Sequence, residues 1–323
     1  MYKLAKQFVV PNDKITKTVF SLNSEEFSRL INGGKICTIS ERKKGKKNNG
    51  RAVQTIITLK IAGNITAEVV KICSAPFDAF DRAVFSAAVS ELVAGNNTTS
   101  ISAIYRLMHG KAAGGNYRLK DKQAQEILHS LNKLSALRIV ANLDEICKNF
   151  RYNGGNPFSV DKPILPCRIY EGKFLGKHTT LIEFTDESPL LTIAKLKNNQ
   201  LLTFDSKLLT EANRRFNRRT MAVKFYTLIR VCEIKLHNLT PIITVADIFE
   251  KCRINVDIRH ERKAHCLDAI VFLLELLKSE NFIENYTLKK DTQKDTLFPV
   301  FELKFSKNIG NIETSTSTLM VVN

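Results

Sequence analysis

The chain has 323 residues, 44% of them hydrophobic and 25% charged, with a formal net charge of +17. That length calls for about two domains with room for real cores. No apolar run reaches the roughly 18–20 residues of a membrane span, and the start, MYKLAKQFVVPNDK, lacks a signal peptide's apolar stretch and cleavage site, so a cytoplasmic protein is expected.

Residues 1–75 read as a small, β-rich extension. Ser24 can cap a helix over 25–31, and 35–40 and 53–61 read as strands joined by ERKKGKKNNGR at 41–51. Lys43, Lys44, Lys46 and Lys47 in that tip, with Arg42, Arg51 and Lys35 beside them, form either a solvated loop or an arm lying along DNA. A run this basic cannot pack in a core under either reading.

A first module is expected over 76–204. Phe80, Val84, Phe85, Ala88, Val89 and Leu92 follow helical spacing up to Gly95. Thr99 or Ser100 then caps a short helix with Ile101, Ile104, Tyr105 and Met108 inward, closed by Gly110. A third helix over about 120–134 buries Ala124, Ile127, Leu128, Leu131 and Leu134 and shows Lys120, Lys122, Gln123, Gln125, Glu126 and His129. Strands at 137–143 and near 164–169 are expected to close the module as a hairpin. Strand 179–184, helix 190–198, strand 201–204 and a helical connector over 205–213 complete an extended wing and linker.

The second module, 205–306, repeats the order. A long helix over 221–239 precedes a short one capped by Thr244, and a third helix runs over 259–279 with Leu267, Ile270, Val271, Leu274 and Leu277 as its buried stripe. Strands 282–288 and 297–305 flank the charged tip KKDTQKD, and a polar tail, 307–323, reads as disordered. Long helix, capped helix, polar-faced helix and hairpin, twice over, spell the winged helix-turn-helix. The expected fold class is α+β: two winged helix-turn-helix domains in tandem behind a small β-rich N-terminal extension.

Excess positive charge suits nucleic acid, an anionic membrane or an acidic protein. No concentrated basic amphipathic helix or lipidation motif speaks for a membrane; charges at loop tips and helix starts suit a phosphate backbone. The sharpest cluster is RHERKAH at 259–265, opening the last long helix. In this motif the first residues of the recognition helix meet base edges. Arg259 and Arg262 suit bidentate contact with guanine, each worth roughly 1–3 kcal/mol of discrimination, while His260 and Lys263 can take bases or phosphates. Clustered cations at the positive end of a helix dipole favour an anionic partner. RRFNRR at 214–219 supplies Arg214, Arg215, Arg218 and Arg219 as a phosphate clamp, with a plain linker as the competing reading. In the first module Gln123 and Gln125 can read adenine and Lys120 and Lys122 can take phosphates, or this helix is simply exposed or forms a subunit contact.

Catalytic patterns are missing. There is no G-x-x-x-x-G-K-[ST], the histidines never form H-x-H, and Cys252, His260, His265 and Cys266 fit no zinc spacing. No catalytic residue, metal or cofactor is expected, and the seven cysteines, without C-x-x-C, read as free thiols.

FDRAVFSAAVSEL with ISAIYRLMHG, then AVKFYTLIRVCEI with TVADIFEKC and RHERKAHCLDAIVFLLELL, resemble the initiators of iteron-type, theta-replicating plasmids over residues 76–305. The resemblance implies binding of double-stranded DNA at repeated origin sites, with the second module in the major groove. It also implies DNA-bound monomers for initiation, autorepressing homodimers and contact with host replication proteins. The 75-residue extension departs from shorter members. A transcriptional regulator acting on an operator uses the same modules; a nicking or recombining enzyme would need Tyr105 or Tyr226 as nucleophile.

Overall fold

The computed structural model describes residues 5–21, 37–41, 55–62, 65–71, 77–110, 119–136, 138–142, 159–174, 177–196, 200–210, 217–255, 260–290, 299–305 and 312–314. The expected helix at 25–31 and the basic tip with Lys43, Lys44, Lys46 and Lys47 lie outside them.

The second module follows the expected order. Helix α6 (Arg218–Leu236), strand β11 (Ile242–Thr244), helices α7 (Val245–Lys251) and α8 (His260–Ser279), and strands β12 (Ile283–Lys290) and β13 (Pro299–Phe305) succeed one another. The sheet order is β11-β13-β12, all antiparallel. Thr244 caps α7, its hydroxyl accepting from the Asp247 amide at 3.2 Å. On α8 the buried stripe is Cys266, Ile270, Leu273, Leu274 and Leu277, with Leu267 and Val271 packed at its edge.

The first module has the same plan. Helix α2 (Ala79–Val93), strand β5 (Thr98–Ser100), helices α3 (Ile101–Met108) and α4 (Asp121–Ala136), and a hairpin of β8 (Cys167–Phe174) with β9 (Lys177–Phe184) give the sheet order β5-β9-β8. In each module the last strand lies between the other two, which is the winged-helix arrangement. Here one expectation fails. The hairpin is not built from 137–143 and 164–169: β6 (Arg138–Asn142) pairs with β7 (Ser159–Pro163) on one side and with β4 (Ile65–Lys71) on the other. Together with β2 (Cys37–Glu41) and β3 (Thr55–Ala62) they form a five-stranded sheet, β2-β3-β4-β6-β7, of which β6 and β7 are inserted between α4 and the true wing.

The expected boundary at residue 75 is therefore crossed by strand pairing, and it is crossed a second time nearer the start. Strand β1 (Gln7–Pro11) pairs with β10 (Leu201–Asp205), the strand between the modules, and β10's other edge takes β14 (Ile312–Thr314). That strand corrects the expectation of a wholly disordered tail. Phe8 of β1 stacks on Phe204 of β10 at 5.4 Å and meets Phe225 of α6 at 5.7 Å, so three distant stretches share one core. Helix α1 (Lys14–Ser21) follows, with Phe20 against Phe77 and Phe85.

Helix α2 runs through the middle of this assembly, buried from Ala79 to Glu91 on all faces. Such a helix carries polar side chains into the interior, and three of them find partners at the start of the chain. Ser90 Oγ accepts from the Val9 amide at 2.7 Å, Glu91 Oε1 from the Ala5 amide at 3.2 Å, and Arg82 donates to Pro11 O at 3.2 Å and Asn12 Oδ1 at 3.0 Å. Between the modules, helix α5 (Pro189–Leu196) precedes β10, and a single 3-10 turn over Ser206–Leu209 stands where a longer helical connector is expected.

Candidate nucleic-acid interface

Helix α8 holds the place of the third helix of the second module, the one expected from the sequence to face a DNA groove. Arg262 is exposed and Lys263 half-buried on its first turn; Arg259 and the side chain of His260 lie outside the described residues. The face opposite the buried stripe carries exposed Asp268 and Glu275, which the sequence reading passed over. Glu275 accepts a hydrogen bond from Tyr286 of β12 at 2.6 Å, tying helix to wing. Cations at the first turn and carboxylates behind them suit a helix that meets a polyanion with its amino end, since Asp268 and Glu275 repel phosphates from its middle.

The 214–219 run divides. Arg214 and Arg215 lie outside the described residues. Arg219 is exposed on the first turn of α6, beside α8: burial pushes the Cys266 thiol up to about 11, and the Arg219 charge pulls against that shift. Arg218 corrects the clamp. Its guanidinium bonds Asp78 Oδ2 at 2.6 and 3.2 Å, lies 3.5 Å from Asp81 and covers the Phe80 ring at 4.7 Å, so it is held inside the protein. Lys224, further along α6, is buried. Its Nζ donates to Leu209 O at 2.8 Å and Thr210 O at 2.5 Å, closing the 3-10 turn. Arg230 pairs with Glu233 at 3.7 Å.

On α4 of the first module, Lys120 precedes the helix and is exposed, as are Lys122 and Gln125. Gln123 is engaged locally, its Oε1 accepting from the Lys120 amide at 3.1 Å, which caps the helix start.

Helix α2 joins α4 of the first module to α6 of the second. Asp78 is its N-cap and forms a capping box with Asp81. Asp81 is fully buried, accepts from Ser130 Oγ at 2.6 Å and from Lys133, both on α4, and faces Arg218 of α6. Burial alone would raise the Asp81 carboxyl, but Lys133, Arg218 and the Ser130 hydrogen bond together hold it below the usual carboxylate range. The linker is fitted as closely. Gly110, at φ +66° after α3, lies where an added Cβ would meet Thr210 Oγ1 at 2.3 Å and Ser206 O at 2.6 Å.

The nucleophile candidates are poorly placed. Tyr105 is 2% exposed and packed on His109 at 4.2 Å. The Tyr226 phenol is pushed up by burial and then by Asp247, opposite to what an activated nucleophile needs. Cys232, Cys252 and Cys266 are buried free thiols and Cys167 is half-buried, all raised by burial. No helix among the described residues is long and apolar enough to cross a membrane.

No protein-family profile and no curated protein matches the chain. Among solved structures it is similar to domains 2 and 3 of RctB, seen in two crystal structures with TM-scores of 0.37 and 0.39 and identities of 11% and 9%. Those matches cover 83% and 82% of this chain and 94% of each of those chains. It is also similar to the Pi initiator protein in complex with iteron DNA, with a TM-score of 0.33, 13% identity, and coverage of 71% of this chain and 92% of that one. These likenesses are distant; the winged-helix assignment stands on strand order and helix succession.

Proposed function

We propose that the chain is a sequence-specific double-stranded DNA-binding protein of the cytoplasm, acting as the replication initiator of a plasmid or other mobile element by binding repeated origin sites. One observation carries the DNA reading: Arg219 and Arg262 stand exposed on the first turns of α6 and α8, where a winged helix presents its third helix to a groove. Lys120, Lys122 and Gln125 offer a second contact in the first module. The net charge of +17 supplies the long-range attraction to phosphate. Initiation rather than repression rests on the resemblance of the paired modules to iteron-binding initiators. Dimers of the chain and host replication proteins enter as partners on the same ground.

Selection of bound fragments from random duplexes and from the DNA of the element that encodes the chain tests this. Tandem direct repeats are expected. A lone palindrome beside the gene makes the chain a regulator, and no enrichment over random duplex sinks the reading.

A further inference from the structure

We propose that the partly buried cluster of Asp78, Asp81, Lys133 and Arg218 sets the separation at which the two winged modules engage a duplex, so that the chain takes two DNA elements at one fixed spacing. This rests on the DNA-binding reading and goes beyond it, by naming the residues that fix the geometry between the two reading helices.

The cluster joins three helices drawn from both modules. Ser130 and Lys133 sit about one turn apart on α4, the helix the first module presents outward, and both reach Asp81. Arg218 opens α6, against which α8 packs, and it reaches Asp78 and Asp81 together. Asp78 serves two elements at once: Oδ1 caps α2 by accepting from the Asp81 amide at 2.9 Å, while Oδ2 accepts from Arg218 at 2.6 Å. Asp81 and Lys133 are buried, so water screens that pair little, while the Arg218 side chain is 29% exposed and its pair with Asp78 is screened in part. Two carboxylates face two cations, and the charges balance.

An apolar seam between the modules would tolerate a small slide, because dispersion and burial are not directional. A guanidinium fork held by carboxylates from one side and an aromatic ring from the other fixes direction as well as distance. DNA makes such a joint matter. One base pair displaces an element by about 3.4 Å along the axis and turns it by about 34–36°, given 10–10.5 base pairs per turn. A rigid joint meets that change as a misfit, whereas a loose one follows it. Asp78, Asp81, Lys133 and Arg218 are thus positioning residues that act through α4 and α8.

The full chain is used to select from random duplexes. The recovered two-element site is then rebuilt with 1, 2 or 5 base pairs inserted or deleted between its elements. Wild type is expected to bind the selected spacing about tenfold or more tighter than spacings shifted by 2 base pairs, a difference of about 1.4 kcal/mol. Asp78→Asn keeps the helix cap, since Asn caps as well as Asp, but removes the partner charge. Arg218→Met keeps an apolar stem over Phe80 without the fork. In both, the spacing preference should fall to about threefold or less, with unchanged affinity for a duplex carrying either element alone. Melting curves show that each variant is folded, and if Asp78→Asn is not, Arg218→Met gives the answer. Folded variants with the wild-type spacing preference overturn the inference, as does a wild type indifferent to spacing. Loss of single-element affinity in folded variants also overturns it, because the cluster is then only a support. A wild type that recovers no duplex at all defeats the DNA-binding reading, and the positioning inference with it.

Discussion

Arg219 is exposed on the first turn of α6, whereas Arg218, one position earlier, is drawn against Asp78 and Asp81; the two provide an internal control. Arg219→Ala should weaken binding to all duplexes alike and reduce the salt slope by roughly one unit, without moving the melting temperature. Arg218→Ala should leave that slope alone and cost roughly 1–2 kcal/mol of stability, less than a fully buried pair because the side chain is partly wet. Equal slopes for both variants would return Arg218 to the surface. Arg262→Ala should lower preference for cognate over random duplex by roughly 1–3 kcal/mol; unchanged discrimination would remove α8 as the reader. Acid should act through Asp81. Its carboxyl is depressed when folded, so the stability it contributes is present above the ordinary carboxylate value, about 4, and lost as pH falls below it. Denaturant midpoints between pH 6 and pH 2 should show this limb, flattened in the Asp81→Asn, Lys133→Met pair; an identical limb would place the titration elsewhere.

At the scale of elements, the second module was legible and the first only partly. Helices α6, α7 and α8 declare themselves by local signals: Thr244 at a cap, and Ile270, Leu274 and Leu277 at helical spacing. Thr244→Ala should therefore cost about 1 kcal/mol in chemical unfolding, and a change near zero would show α7 to be held by packing alone. The first module's wing was misplaced because sequence favours the nearest strand as a partner. The strand at 138–142 instead pairs with 67–70 and 159–163, so its natural mate in a hairpin reading, 167–174, is free to pair with 177–184. Helix α2 shows the same limit in another form. Arg82, Ser90 and Glu91 look like a solvated face, yet their acceptors and donors lie some 70–86 positions earlier. Helical periodicity carries no record of such partners. Likewise nothing local distinguishes Arg218 from Arg219; only the position of Asp78, 140 residues away, does.

For the whole molecule, the start of the chain is structural rather than an appendage. Lys17 of α1 pairs with Glu233 of α6 at 2.7 Å while Pro11 and Asn12 hold Arg82 of α2, so one short stretch touches both modules. Burial alone would raise the Glu233 carboxyl, but Lys17, Arg82 and Arg230 hold it low. A chain lacking residues 1–21 would expose Phe204 and Phe225 and leave the buried Arg82 guanidinium without its acceptors. At roughly 2–4 °C per kcal/mol for a protein of this class, a fall in melting temperature of about 10 °C or more is expected. A truncated chain that melts like the intact one would make residues 1–21 dispensable to the fold. Gly110 sets a similar constraint at the linker: Gly110→Ala combines a left-handed backbone with a clash at Thr210 and should cost about 2 kcal/mol or more.

The three-stranded sheet β1-β10-β14 has a consequence for biosynthesis. Strand β10 finds one neighbour already made, but the other, Ile312–Thr314, follows Leu202 by 110 residues, counting from 202 to 312. At about 5–20 residues per second, ribosomal synthesis leaves that edge of β10 bare for roughly 5–20 seconds. An uncovered edge strand is a template for pairing with another chain. Nascent polypeptides of this protein should therefore be most vulnerable to co-aggregation, and most in need of chaperones, in the interval between the emergence of these two strands.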